Sequence, residues 1–175
     1  FFLARGRAPL ESLAALPVVM GLAFVFRTAG IAMQEVVIAL AGESRENARL
    51  LGRFSLRLGL VSSAALAAVA FTPLATVWYR TVSGLAPALA AFAVLPGGLL
   101  VLLPLFESVL SYERAVLVRT RRTAPISVAV ALQLAVTTLV FVLMITAFKT
   151  VGAIAIGPAL TAGYAAGTAF LVLTK

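Results

Sequence analysis

Three residue types with strong side-chain chemistry are missing from this 175-residue chain, which has no cysteine, no histidine and no aspartate. The lack of cysteine excludes disulfides and thiol catalysis, and the lack of histidine removes the commonest zinc ligand. Charged residues make up only 11% of the chain, against about 25% in soluble globular domains. A soluble domain so poor in charge could not cover its surface, so the composition argues against that class of protein.

Sequence patterns typical of enzymes are missing as well. The chain has no GxSxG segment, no glycine-rich phosphate-binding loop ending in lysine and no evident set of metal ligands. We therefore predict that the protein is not an enzyme and that it holds no cofactor and no metal ion.

Long apolar stretches dominate what is present, since 62% of the residues are hydrophobic and the mean hydropathy is +1.11. Five stretches exceed the roughly 20 residues that a helix needs to cross a bilayer. They are too long and too rich in alanine and leucine for strands. The sequence predicts an all-α, polytopic transmembrane helix bundle in one domain, 1–175, with helices at approximately 10–41, 47–79, 85–113, 125–148 and 151–173.

The number of basic residues alternates between high and low from one loop to the next. Eight of the 14 lie in two loops, whereas the intervening links hold only Arg80 and Lys149. This alternation is typical of cytoplasmic loops in membrane proteins. It predicts an integral protein of the plasma (inner) membrane with loops 42–57 and 114–124 and the C-terminus in the cytoplasm. Because the charges flank apolar spans, we expect a lipid bilayer and no nucleic acid as partner. The predicted topology anchors are Arg45, Arg49, Arg53, Arg57, Arg114, Arg119, Arg121 and Arg122.

The first basic loop has a regular spacing. Its four arginines recur every four residues, so they form one helical stripe whose side chains can reach the headgroups. The stripe is a topology anchor or, alternatively, a specific site for anionic lipid. Gly42 is a helix stop and Ser44 an N-cap candidate, while Trp78 and Tyr79 fit an aromatic anchor at the opposite interface.

Arg27 is the most informative polar residue because it falls near the middle of the first apolar stretch. Ionisable residues there cost about 2.5–3.5 kcal/mol each on insertion scales. Arginine cannot lose its proton, so Arg27 must face water or a partner. It is either an anion-binding group in a transport cavity or one half of a structural pair with Glu107, Glu35 or a carboxylate elsewhere.

Three further polar residues are candidates for the same site. Gln34 lies on the same helix face as Arg27. Glu35, the next residue, is turned to one side of that face and lies about 12 Å from Arg27 along the helix axis. Burial disfavours a charged carboxylate, so Glu35 and Glu107 are candidate proton carriers; exposure at the cytoplasmic interface is the alternative. The candidate substrate-binding residues are Arg27, Gln34, Glu35 and Glu107.

The third and fifth apolar stretches contain helix-perturbing residues. The third holds Pro96-Gly97-Gly98 and Pro104, which predict a hinge for helix rocking or, alternatively, a static kink. The fifth holds Gly163 and Gly167, a GxxxG spacing that favours close helix packing.

Three segments resemble one half of a MOP-superfamily exporter, the group of multidrug and toxic compound extrusion proteins and polysaccharide flippases. They are 34–51, a long helix followed by a polar turn and Ala-Arg; 113–125, a basic turn containing threonine before the next span; and 151–157, a small-residue entry to the last helix. The second segment lacks the Gly-Asp often found there in drug exporters. Residues 26–28, 34–35, 83–85 and 121–123 look closer to the progressive-ankylosis-like branch.

The resemblance implies a transporter that exports a small solute by alternating access, and its progressive-ankylosis-like branch implies a small anion such as pyrophosphate or citrate. It also implies a second transporter half, on the same chain or a partner, and a first helix before Phe1; we expect the chain to be a piece of a longer protein. The alternatives are a drug or cation antiporter, a lipid-linked oligosaccharide flippase, and a non-transporting membrane scaffold or subunit. An ATP-driven permease subunit ranks lower because the basic loops show no clear coupling helix.

Overall fold

The computed structural model describes residues 8–40 and 45–174, and this part of the chain is helical with no strand. Four helices are long and apolar enough to cross a membrane, and a bent helix pair makes a fifth candidate span. The predicted all-α bundle is thereby confirmed. The elements are α1 (Pro9–Leu40), α2 (Arg45–Ala70), α3 (Leu74–Thr76), a π-helix (Val77–Val82), α4 (Pro87–Gly98), α5 (Leu103–Arg119), α6 (Ala124–Thr146) and α7 (Gly152–Leu173).

The second predicted helix, 47–79, is wrong at its C-terminal end. The helix stops at Ala70, and α3 and the π-helix follow after a turn at Thr72 and Pro73. Apolar residues continue through this turn, so hydropathy alone extended the helix too far. Proline marks the true end, because it cannot donate a backbone hydrogen bond to the preceding turn.

The third predicted span is also two helices, α4 and α5, bent by 45° across residues 99–102. Its C-terminal end lies at Arg119 rather than at the predicted residue 113. Pro104 occupies the first turn of α5, where its missing N–H is not needed. Leu99 in the break packs on Gly157 of α7, where an added Cβ would come within 2.5 Å of the Leu99 Cβ.

Helix α5 lies at the centre of the bundle, between α1, α2 and α7. It runs parallel to α1, because Gly30 packs on Ser108 while Met33 and Val37, further along α1, pack with Ala115. It runs antiparallel to α2. Gly52 of α2 lies against Tyr112, whereas the later Gly59 lies against the earlier Leu105.

Two buried serines join α2 to α5. The Ser55 hydroxyl donates to the Ser108 carbonyl at 2.7 Å, and the Ser108 hydroxyl donates to the Ser55 carbonyl at 2.9 Å. Each hydroxyl therefore satisfies a backbone acceptor on the neighbouring helix. Reciprocal bonds of this kind are one of the main ways that helices associate inside a membrane.

Helices α6 and α7 form a C-terminal hairpin. Gly163 lies against Thr137 and the Gln133 carbonyl, and Gly167 lies against Gln133 and the Ala129 carbonyl. The GxxxG spacing thus packs α7 on α6 within the chain. Helix α7 in turn runs parallel to α1, since the Ala153 N–H near its start donates to the Ser12 hydroxyl near the start of α1.

The start of α2 and the end of α5 lie at the same end of the bundle, because the Tyr112 hydroxyl donates to the Ala48 carbonyl at 2.8 Å. We call this the basic end; its exposed basic residues include Arg49, Arg53, Arg57, Arg121 and Arg122. The two basic loops therefore share one end, as the charge alternation predicts. Helix α5 ends with two backbone hydrogen bonds. The Arg121 N–H donates to the Val118 carbonyl, and the Arg122 N–H donates to the Leu117 carbonyl.

Candidate functional site

Arg27 lies deep in the bundle. It is 13 residues from the last residue of α1, Leu40, which places it about 20 Å along the helix from the basic end. A bilayer's hydrocarbon core is about 30 Å thick. Arg27 therefore sits near the middle of the predicted span, where a charge is most costly.

Two side chains from other helices meet the guanidinium of Arg27. Its Nε donates to the Glu107 carboxylate of α5 at 3.1 Å, and one terminal nitrogen makes a second, ionic contact with the same carboxylate. That nitrogen also donates to the Tyr164 hydroxyl of α7. The guanidinium carbon lies 5.0 Å from the centre of the Tyr164 ring, within range of a cation–π interaction.

Three parallel helices thus deliver the three side chains to one level. Measured from the basic end, Glu107 lies 12 residues before Arg119 and Tyr164 lies 9 residues before Leu173, which is about 18 and 14 Å along their helices. We call Arg27, Glu107 and Tyr164 the central cluster.

The central cluster is largely shielded from solvent. The side chains of Arg27 and Glu107 are 13% and 7% exposed. The predicted exposure of Glu107 at the cytoplasmic interface is therefore wrong. The error follows from the helix boundary, because α5 continues to Arg119 and carries Glu107 deeper than a helix ending at 113 would. Of the alternative partners considered for Arg27, the structure places Glu107 beside it.

Gln34 and Glu35 lie away from the central cluster. They follow Arg27 along α1 by about 10 and 12 Å toward the basic end. Gln34 is half-buried, whereas Glu35 is exposed on the outer side of α1. The structure thus brings together two of the four predicted substrate-binding residues and leaves the other two on the surface of one helix.

The predicted hinge residues surround the break between α4 and α5. Pro96, Gly97 and Pro104 are buried there. The Tyr79 hydroxyl occupies the space where a Gly97 side chain would be, and it has no hydrogen-bond partner among the described residues. Gly98 faces the ring of Phe71 in the same way, with 2.8 Å between its virtual Cβ and the nearest ring carbon. The glycines therefore let two aromatic rings pack directly on the helix backbone at the break.

Tyr79 does not present its ring to a membrane interface as an aromatic anchor would, because it is completely buried in the main apolar core. Trp78 is half-buried, and its indole N–H points to the Val18 carbonyl of α1 at 3.4 Å. Both rings therefore pack inside the bundle, where they attach the π-helix to its neighbours.

The predicted topology anchors divide into two groups. Five of them, named above, are exposed at the basic end. Arg114 differs, since it is half-buried and its guanidinium approaches the Gln133 side chain of α6 at 3.5 Å. Arg119 is also half-buried. The side chain of Arg45 lies outside the described residues, as do Gly42 and Ser44.

Sequence reasoning missed Tyr164 and the serine pair of α2 and α5. Tyr164 lies between the two glycines of the GxxxG segment, where the small residues drew attention to packing alone. The sequence feature that could have identified Tyr164 is a phenol group far from either end of an apolar helix. Ser55 and Ser108 gave a similar signal as isolated hydroxyls within predicted spans.

Comparison of the chain with models of protein families, with curated proteins and with solved structures gives no match. Within the described residues, no three histidine, cysteine, aspartate or glutamate side chains cluster as metal ligands would. Inferences about function therefore depend on the central cluster and the helices that carry it.

Proposed function

We propose that the chain forms most of one half of a MOP-type secondary transporter, which exports a small anionic solute by alternating access. The observation that carries this proposal is the guanidinium of Arg27, held near mid-span by Glu107 and Tyr164. A permanently charged group at this depth is a functional-site candidate by default, because membrane proteins retain such groups rarely.

The chemistry of the central cluster suits exchange of one anion for another. The carboxylate of Glu107 already binds the guanidinium of Arg27. A carboxylate or phosphate group of a substrate would accept hydrogen bonds from the same guanidinium in a similar way. Tyr164 also contacts the guanidinium and would hold it in place during the exchange. In the proposed mechanism, substrate displaces Glu107 from Arg27, and Glu107 returns when substrate leaves.

Exposed polar residues on the outer side of α1 support the proposal of a water-filled cavity near this cluster. Glu35 is exposed there, and Thr28 is exposed about two turns nearer to Arg27. A carboxylate facing lipid is costly, whereas one facing a water-filled cavity between two transporter halves is not. Apolar residues share this surface, Phe24 and Ile31 among them, so part of it would contact lipid or the second half.

The break between α4 and α5 supports the conformational step. In the break, the Leu100 N–H donates to the Gly97 carbonyl at 3.2 Å and the Leu103 N–H donates to the Leu100 carbonyl at 2.9 Å. Backbone groups therefore stay paired while the helix changes direction. We propose that Pro96, Gly97, Gly98 and Pro104 form the hinge when the half rocks.

A non-transporting scaffold is the alternative from a different class. The GxxxG segment does not favour it, since both glycines pack on α6 of the same chain. A drug or cation antiporter would have to accommodate the permanent positive charge of Arg27, and Glu107 partly neutralises that charge. Both alternatives predict that a small anion leaves the central cluster undisturbed.

Transport assays on the full-length protein in proteoliposomes test the proposal, with citrate and pyrophosphate as probes. Arg27→Gln should abolish uptake, whereas Arg80→Gln should leave it unchanged because Arg80 is exposed in the π-helix. Glu107→Gln removes the internal competitor while keeping the side-chain shape. It should tighten anion binding by about tenfold, the equivalent of about 1.4 kcal/mol.

Uptake that survives Arg27→Gln would refute the role of Arg27. If neither probe binds the wild-type protein or the Glu107→Gln variant, the anion hypothesis fails and the scaffold gains support. Unchanged anion binding after Glu107→Gln would refute the exchange of Glu107 for substrate.

A further inference from the structure

The basic end holds a second concentration of positive charge, separate from the central cluster. The first turns of α2 border a surface groove of about 500 Å³ lined by Glu46, Arg49, Leu50 and Arg53. An adjoining groove of about 360 Å³ lies between α2 and α5 and shares Arg49 and Arg53. We call the two together the basic groove. Both arginines are exposed, so their guanidinium groups are accessible to a ligand.

We propose that the basic groove binds the phosphate of an anionic phospholipid from the leaflet at this end of the bundle. Arg49 and Arg53 lie one helical turn apart, about 6 Å along the axis, on the same side of α2. That spacing lets both guanidinium groups contact one phosphate. Arginine suits this ligand because its planar fork of donors matches phosphate oxygens.

The depth of the arginines explains why a lipid is the ligand. Counting about 20 residues back from Ala70 places the hydrocarbon boundary near Leu51. Arg53 and Arg57 then lie about 3 and 9 Å inside that boundary, although both are exposed. Cα–Cβ bonds tilt toward the N-terminus of a helix, so these side chains lean toward the headgroups. A phosphate drawn into the groove would neutralise Arg53 where water is scarce.

Apolar side chains beside the arginines fit the acyl part of the same ligand. Leu50, Phe54 and Leu56 are 54%, 53% and 47% exposed, and they lie between or next to the arginines on α2. The surface thus combines phosphate donors with apolar area within two helical turns. A soluble anion would use only the first of these features, whereas a phospholipid uses both.

Two carboxylates share the basic groove with the arginines. Glu46 is exposed at its rim, and Glu113 of α5 is buried at its wall. Glu46 opposes an anionic ligand, so its removal should strengthen binding. This opposite expectation separates a specific site from a general loss of folding.

Native mass spectrometry of the purified protein tests the proposal, after addition of equal amounts of phosphatidylglycerol and phosphatidylcholine. Wild-type protein should retain phosphatidylglycerol preferentially. The double variant Arg49→Gln/Arg53→Gln should lose about 30-fold in phosphatidylglycerol affinity, from about 1 kcal/mol for each arginine near a lipid surface. The matched control Arg121→Gln/Arg122→Gln removes the same charge at the same end and should keep the preference. Glu46→Gln should bind more phosphatidylglycerol than wild type.

Equal retention of the two lipids by wild-type protein would overturn the proposal. An equal loss in the Arg121→Gln/Arg122→Gln control would also overturn it, because net charge alone would then account for binding. Displacement of phosphatidylglycerol by inorganic phosphate would identify the groove as a site for a soluble anion instead. Helical content measured by circular dichroism confirms that each variant is folded.

Discussion

Replacing Arg27 with methionine removes one partner of a buried ion pair and leaves Glu107 in place. The side chain of Glu107 is only 7% exposed and faces the guanidinium directly. Breaking such a pair from one side typically costs about 3–5 kcal/mol of unfolding free energy, because a buried charge loses its partner. We expect the loss for Arg27→Met to fall at the lower end of this range, about 3 kcal/mol.

Removing Glu107 should be worse than removing Arg27. Arginine has no accessible neutral form, so Glu107→Leu leaves a permanent charge near mid-span, with Tyr164 as its contact. We expect a loss of about 5 kcal/mol. The double variant Arg27→Met/Glu107→Leu removes both charges and should be close to wild type in stability, because apolar replacements of buried pairs are often neutral or stabilising. The two single losses are therefore strongly non-additive.

Equilibrium unfolding in mixed detergent micelles measures this double-mutant cycle. Glu35→Leu is the matched control, since it removes an exposed carboxylate from α1 and should change stability by no more than about 0.5 kcal/mol. Additive losses, or a Glu107→Leu variant as stable as Glu35→Leu, would refute the pairing argument. The double variant has a second use: if it folds but does not transport anions, the charged pair is needed for function and not only for stability.

Two other predictions concern helix packing and topology. Gly163→Ala should destabilise the protein by about 1–3 kcal/mol in the same unfolding assay, because the new Cβ would lie 2.7 Å from the Gln133 carbonyl oxygen. The control Gly21→Ala should stabilise α1 by up to about 1 kcal/mol, because the new Cβ would meet nothing within 4 Å. Equal effects of the two substitutions would contradict the packing described for α6 and α7. Thr81→Cys and Thr123→Cys introduce single exposed thiols into a chain without cysteine, and membrane-impermeant reagents should label them from opposite sides, with Thr123→Cys reacting from the cytoplasm. Labelling of both from one side would refute the predicted topology.

Helix positions followed well from the sequence because each span must be continuously apolar. The first, fourth and fifth predicted helices agree with α1, α6 and α7 to within about two residues, a normal disagreement for helix ends. The break in the third span also lies where Pro96-Gly97-Gly98 and Pro104 predict a perturbation. Local rules of backbone chemistry were sufficient for these features.

The partners of Arg27 required information that one sequence does not contain. The sequence singled out Arg27 because arginine is expensive anywhere in a membrane. It offered Glu107 and Glu35 as alternative partners, and the decision depends on which helix packs beside α1 and at what rotation. Tyr164 belongs to α7, more than a hundred residues away, and only the parallel packing of α1, α5 and α7 brings it to the guanidinium.

The C-terminal hairpin has a consequence for the order of membrane insertion. Helix α6 packs almost entirely on α7, whereas α7 also contacts α1, α4 and α5. As the ribosome delivers the chain from its N-terminal side, α1, α2 and α5 can associate before α7 exists. Arg27 and Glu107 can therefore meet early, but the Tyr164 contact forms only when the hairpin docks. Until then the ion pair lies at an open edge of the nascent bundle, where chaperones and proteases of the membrane can still recognise an unfinished protein.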